Sequence, residues 1–330
     1  MSSTPGWLSR FEYAPSTGTT LALLATTVSL IWHVARNNAH SRQSKICPTK
    51  ERVMVIGASS GLGCAIAKRY AARGARVCLV ARREEQLSKL AQECGEKCFW
   101  VVADFSNVQD MVRLRERVIA EWDGLDSLYI CAGVSAVQPI MGLAGVKPGE
   151  EDDANDTGIQ NALDVATRAT QGNVYGPLVS ALTFIPLITR TSTSPSILLV
   201  SSVAAIIPAP TRALYAATKA SSLLLFQSLA IEHPAVNFAL MLPATIQGNF
   251  RASAVDADPA TRDAGSNEHG LKVDYVARRC VDAVDGQVRG NVIVPWFPYR
   301  IAHYLYNIWP SFIEKQARKK YNFTAQEQGS

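Results

Sequence analysis

Residues 53–63 read VMVIGASSGLG. The first four are apolar without a break, a run suited to a strand buried on both faces. Glycines follow at 57, 61 and 63, spaced G-x-x-x-G-x-G, and a helical pattern opens directly behind them. Glycine permits the tight turn and lets backbone N–H groups approach a pyrophosphate at the helix N-terminus. The strand–loop–helix order therefore points to dinucleotide binding through Gly57, Ser59, Ser60, Gly61, Leu62 and Gly63.

Working outward, the pattern repeats. Short β-rich runs stand at 52–56, 75–81, 98–102, 127–131, 196–201, 237–241 and 292–294, with helical stretches at 62–73, 83–93, 108–121, 165–190, 214–232 and 273–285. Such alternation predicts an α/β fold with a doubly wound parallel sheet, one domain over 51–298. Gly74 reads as the cap that ends the first helix. The chain has 330 residues, 48% of them hydrophobic, which supports a full core and excludes wholesale disorder. Net charge is only +5, and no basic stripe is interleaved with aromatics, so nucleic acid is not an expected partner. Seven cysteines without a C-x-x-C pair argue against a disulfide framework and against a zinc site.

The second strand ends Val80-Ala81-Arg82-Arg83. An acidic residue here would hold ribose hydroxyls; a guanidinium suits a 2′-phosphate. Arg82 is read as that group, with Arg83 beside it as a second candidate, which favours NADP (NADPH) over NAD; the alternative is that both only begin an amphipathic helix with Glu84 and Glu85. The densest chemistry is Tyr215-Ala-Ala-Thr-Lys219. Positions i and i+4 share a helix face, and a nearby ammonium favours a phenolate. That spacing predicts a tyrosine tuned downward toward proton transfer. Ser202 ends the preceding strand, and Asn173 lies on the helix before it.

With those residues the chain resembles the short-chain dehydrogenase/reductase family, in its membrane-associated hydroxysteroid-dehydrogenase-like branch, over about 52–298. The resemblance implies a Rossmann fold and an enzyme that interconverts a lipophilic ketone and a secondary alcohol by hydride transfer. It implies Tyr215 as general acid/base, Ser202 at the reacting oxygen, Lys219 at the nicotinamide ribose, Asn173 holding a water and Asp104 near the adenine. A homodimer through the two long helices is also implied. Ile56, Ile130 and Ala244 depart from the family pattern, and Gly248 stands where a threonine often follows. The alternative is a noncatalytic nucleotide-binding membrane scaffold, against which the intact Asn173, Ser202, Tyr215 and Lys219 set speaks.

The ends carry a separate signal. Residues 19–34 read TTLALLATTVSLIWHV without a charge, a candidate N-terminal membrane anchor within a leading segment 1–50, with a peripheral or buried apolar helix and a cleaved signal peptide as the alternatives. Arg36, Arg42, Lys45, Lys50 and Arg52 follow it and only Arg10 precedes it. Basic residues stay cytoplasmic, so the expectation is a membrane protein, of the endoplasmic reticulum, with its domain in the cytosol. Residues 299–330 set Tyr299, Tyr304, Trp309 and Phe312 beside Lys315, Arg318, Lys319 and Lys320, an amphipathic tail that suits a membrane surface or, equally, packing against the domain or a second subunit. Pro310 is read as the first residue of its second helix.

Overall fold

The computed structural model describes residues 42–146, 153–256 and 269–323. The apolar run at 19–34 lies outside the described residues. Seven strands form one sheet: β1 Arg52–Ile56, β2 Arg76–Ala81, β3 Cys98–Val102, β4 Ser127–Ile130, β5 Ser196–Val200, β6 Asn237–Pro243 and β7 Gly290–Val294. Every pairing is parallel, in the order β3-β2-β1-β4-β5-β6-β7. This is the doubly wound sheet expected from the alternation. The order reverses between β1 and β4, and in sheets of this kind ligands bind outside the carboxyl ends of the strands at that point.

Helices cover both faces. They are α1 Gly61–Ala72, α2 Glu84–Cys94, α3 Val108–Trp122, α4 Ile140–Leu143, α5 Asp156–Thr170, α6 Gly176–Thr191, α7 Ala213–Glu232, α8 Val273–Asp285, α9 Tyr299–Ile308 and α10 Pro310–Tyr321. Alternate residues of β1 separate the two cores. Met54 and Ile56 pack with Leu114, Phe184 and Phe226. Val53 and Val55 pack with Ile66, Tyr70 and Val281 on the other face. Both sets are fully buried, so the central strands read as unbroken apolar runs rather than as alternation.

Gly74 ends α1 as expected. Its φ is +78°. Its N–H bonds Ala71 O at 2.8 Å, and the next N–H bonds Tyr70 O at 3.2 Å, satisfying two end carbonyls. Pro310 opens α10 as the sequence predicts.

Two boundaries differ from the sequence reading. Residues 42–50 pack onto the domain instead of serving only as a linker. Arg42 is 1% exposed, donates to Asp126 O at 2.9 Å and pairs with Glu51 at 3.2 Å. The helix expected at 165–190 begins earlier and is interrupted. A five-residue π-helical turn, Gln171–Tyr175, joins α5 to α6. Glycines flank its centre: a Cβ on Gly172 would press on Val134, and one on Gly176 would lie 2.3 Å from the Phe105 ring.

The helices Asp156–Thr191 and Ala213–Glu232 are long and apolar enough to cross a membrane by length and composition. Their buried sides, including Phe184, Ile188 and Phe226, belong to the sheet's core.

Candidate active site

The glycine loop runs from β1 into α1. Gly57 has φ +90°, and a Cβ there would sit 2.6 Å from Ala132 N. A Cβ on Gly63 would lie 2.3 Å from Gly57 O. The loop therefore folds onto itself and against the end of β4, which only glycine allows at both positions. Gly61 opens α1, and Leu62 follows it in the first turn. Ser60 is the N-cap residue but makes no side-chain cap bond. Its hydroxyl instead accepts from Arg83 Nη2 at 2.6 Å, and the Ser59 hydroxyl accepts from the same nitrogen at 2.9 Å.

This contact refines the reading of the second strand. Arg83, not Arg82, reaches the glycine loop. Arg82 is exposed and makes no hydrogen bond among the described residues. Asp104 follows β3, and its carboxylate accepts from Ser106 N at 2.9 Å and Ser106 Oγ at 2.7 Å.

Asn173, Ser202, Tyr215 and Lys219 come from three elements. Asn173 is fully buried within the π turn. Its Oδ1 accepts from Val134 N at 2.9 Å, while Nδ2 donates to Val134 O at 2.9 Å and Thr218 Oγ1 at 3.0 Å. The π turn thus clamps the chain beyond β4 to the second turn of α7. Lys219 Nζ donates to Val200 O at 3.0 Å. A Cβ on Gly133 would meet Asn173 Oδ1 at 2.8 Å and Lys219 Nζ at 3.1 Å, so both groups border the space left by that glycine.

Ser202 caps a short turn after β5 and accepts from Ala204 N at 3.1 Å. Its hydroxyl also interacts with the Tyr215 phenol. The structure therefore brings together Asn173, Ser202, Tyr215 and Lys219. The neighbouring Ser201 is buried and donates to Lys219 O at 3.3 Å, a structural contact.

The electrostatics correct one expectation. Burial pushes the Tyr215 phenol up, with Ser202 and Arg212 opposing the rise. Lys219 does not draw it down as its i+4 position suggests. Its ammonium is turned to Val200 O, and burial lowers its own pKa to about 8. Cys131 is held up at about 12 by burial, which fits a core thiol and no nucleophile. No metal-binding cluster occurs among the described residues.

Two partners escaped the sequence reading: Thr218 and the backbone of Val134. Thr218 stands inside the Tyr215–Lys219 motif, yet only the fold shows that it faces Asn173. Val134 carries no side-chain signal at all.

Known proteins resemble this chain. A family model described as short chain dehydrogenase matches residues 51–258. An "11-beta-hydroxysteroid dehydrogenase-like 4A" of Arabidopsis thaliana is 30% identical over 200 residues, 59% of this chain and 60% of that protein. A "short chain dehydrogenase" of Pseudocercospora fijiensis is 30% identical over 54% of this chain and 53% of its own length. The chain thus spans about three fifths or less of these relatives. An "11-beta-hydroxysteroid dehydrogenase A" of Sesamum indicum is 28% identical over 82% of this chain and 75% of that protein. An alcohol dehydrogenase structure from Thermococcus sibiricus, complexed with 5-hydroxy-NADP, has a TM-score of 0.57 at 23% identity. It covers 74% of this chain and 95% of that one, a likeness of fold. The family match covers the glycine loop and the Asn173–Ser202–Tyr215–Lys219 cluster together, and the chain belongs to the short-chain dehydrogenase family.

Proposed function

We propose that this protein is an NADP(H)-dependent oxidoreductase that interconverts a ketone and a secondary alcohol, with Tyr215 as general acid/base. The observation that carries the reading is the convergence of Asn173, Ser202, Tyr215 and Lys219 at the carboxyl ends of β4 and β5. A scaffold that only held a nucleotide would not require this set.

The residues fit a dinucleotide. Gly57, Ser59, Ser60, Gly61, Leu62 and Gly63 form a cradle that side chains at Gly57 or Gly63 would fill. Its floor is a helix N-terminus, which favours phosphate. Arg83 stands at its rim on two serine hydroxyls, and Arg82 is exposed beside it. Either guanidinium suits a 2′-phosphate, and no acidic side chain occupies the end of β2 to hold a ribose diol instead. Asp104, at the end of β3, borders the adenine side in this reading.

The nicotinamide ring supplies or accepts the hydride when bound. The chain supplies position and the proton. Ser202 Oγ donates a hydrogen bond to the substrate oxygen, and the Tyr215 hydroxyl transfers its proton to that oxygen during reduction. The raised pKa keeps the phenol protonated at neutral pH, which suits an acid. Lys219 replenishes the proton, and Asn173 Oδ1 beside it orients the connecting water. In oxidation the same groups work in reverse.

The membrane reading is part of the proposal. The run at 19–34 anchors the chain in the endoplasmic reticulum with the domain in the cytosol. Of the basic residues that set this orientation, Arg42 and Arg52 are engaged in ion pairs of the fold. Arg36, Lys45 and Lys50 still outnumber Arg10. On the tail, Tyr304, Ile308 and Trp309 are each more than half exposed, as is Phe297 just before it, a surface that suits lipid and a lipophilic substrate. Exposed Leu182, Leu224 and Ile231 on the long helices fit a homodimer contact.

Tyr215→Phe removes the transferable proton and keeps the ring. NADPH oxidation with a panel of lipophilic ketones should fall by a factor of roughly a hundred or more, while NADPH binding by fluorescence is retained. Undiminished turnover in the variant overturns the assignment.

A further inference from the structure

We propose that the amino-terminal edge of the sheet binds the phosphate headgroup of an anionic lipid through Lys45, Lys50 and Arg76. The choice of a lipid as occupant rests on the membrane reading above. The site is separate from the cofactor and proton-transfer residues.

Residues 42–50 are built into the fold. Arg42 is the pin, and besides Asp126 O and Glu51 its guanidinium meets Ser196 Oγ. Gln43 Nε2 donates to Asp285 Oδ2 of α8 at 3.1 Å. Two 3-10 turns, Arg42–Ser44 and Pro48–Lys50, are closed by Lys45 N on Arg42 O and Lys50 N on Cys47 O, both at 2.9 Å. Lys45 and Lys50 are therefore held on a scaffold and not carried on a free linker.

These turns border an open groove of about 490 Å³, a volume within the range of small-molecule sites. Arg52 and Arg76, the first residues of β1 and β2 and partners in register, line its sheet side. Gly57 follows β1 at the other end of the strand, so the groove and the glycine loop stand at opposite edges of the sheet.

Four cations and one carboxylate, Asp126, line the groove. That carboxylate is taken: it accepts from Arg52 Nε and Nη2, both at 2.9 Å. Arg52 also donates to Thr191 O at 2.7 Å and Trp122 O at 3.3 Å, so its own donors are spent inside the fold. Lys45, Lys50 and Arg76 are exposed, and none forms an ion pair or a side-chain hydrogen bond among the described residues. Asp123, the C-cap residue of α3 next to Trp122, is a second acid of this edge, and three cations exceed it. Outside the described residues, 1–41 hold one acid, Glu12, against Arg10 and Arg36, while the acidic segments 147–152 and 257–268 follow β4 and β6 beyond their carboxyl ends. A phosphate monoester, with close to two negative charges and three acceptor oxygens, matches three cations around one groove.

Two observations favour a lipid over free phosphate. Ile46 and Trp122 add apolar surface to the same groove, and an indole beside cations suits the boundary between headgroups and acyl chains. Arg42 follows Val34, the end of the apolar run, by eight residues, a reach of at most about 29 Å. Headgroups at the end of that run lie within this reach.

The test titrates dihexanoyl phosphatidic acid, dihexanoyl phosphatidylcholine and inorganic phosphate by calorimetry into the full-length protein in nonionic detergent. Wild type should bind the phosphatidic acid tighter than the phosphatidylcholine by roughly tenfold or more, and inorganic phosphate more weakly than either preference requires. Lys45→Gln, Lys50→Gln and Arg76→Gln should each weaken the phosphatidic acid by roughly fivefold, and all three together by roughly a hundredfold. NADPH affinity should be the same in every variant. Equal binding of the two lipids, or a preference that survives the triple variant, overturns the proposal. Inorganic phosphate bound as tightly as the phosphatidic acid also overturns it, since the ligand would then be a soluble anion. Extraction of membranes with alkaline carbonate tests the run at 19–34 separately. Release of the chain, with the phosphatidic acid preference intact in wild type and lost in the triple variant, defeats the spanning anchor and upholds the groove.

Discussion

Lys219→Met isolates the electrostatic cost of the site. The side chain is 4% exposed, and its ammonium donates to one backbone carbonyl, Val200 O at 3.0 Å. Burial lowers its pKa from 10.5 to about 8. At roughly 1.4 kcal/mol per pH unit, keeping the ammonium charged in the folded protein costs about 3 kcal/mol at neutral pH. Methionine keeps the apolar stem and removes the charge. It leaves Val200 O without that donor, a loss of about 1–2 kcal/mol. The variant should therefore be more stable than wild type at pH 7 by about 1–2 kcal/mol, which raises Tm by a few degrees.

The pH dependence identifies the cause. Between about 8 and 10.5 the unfolded lysine still holds its proton while the folded one has released it. Unfolding then takes up protons, so wild-type stability rises with pH across this window relative to the variant. The advantage of Lys219→Met should be full below pH 8 and shrink steadily toward pH 10.5. Thermal unfolding of both proteins by circular dichroism over pH 7–10.5 reads it out. A variant less stable at pH 7, or a difference that ignores pH, refutes the reasoning. The same variant should lose NADPH-linked turnover, a case of stability given up for a functional charge.

Two further outcomes are expected. Arg42→Ala leaves Glu51 buried without its cation, and burial already pushes that carboxyl up; urea unfolding should show a loss of about 3–5 kcal/mol, and a change under 1 kcal/mol would place Arg42 outside the folded unit. In cells, the full chain should remain in the membrane pellet after alkaline carbonate, and protease added to sealed microsomes should digest the catalytic domain; recovery in the supernatant, or protection of the domain, contradicts the anchor or its orientation.

Much of this fold is legible because local signals agree with the global architecture. Continuous apolar runs such as Val53–Ile56 announce central parallel strands, and the glycines at 57 and 63 are required by backbone contacts that a side chain would break. The π turn at Gln171–Tyr175 is not legible, because it depends on Gly172 meeting Val134 and Gly176 meeting Phe105, contacts distant in sequence. Sequence position does not separate Arg82 from Arg83; in the fold it is the Arg83 guanidinium that meets the Ser59 and Ser60 hydroxyls. The spacing of Tyr215 and Lys219 predicted a lowered phenol pKa, but spacing says nothing of the Val200 carbonyl that captures the ammonium. Helical register shows which residues share a face; it does not show what else approaches that face.

The most direct test of the central claim is cofactor choice at the glycine loop. NADPH and NADH titrated by fluorescence into full-length wild type, Arg82→Ala and Arg83→Ala should show NADPH bound tighter by roughly tenfold or more in wild type. The preference should collapse in Arg83→Ala and fall less in Arg82→Ala. Equal affinity for the two cofactors, or binding of neither, contradicts the account.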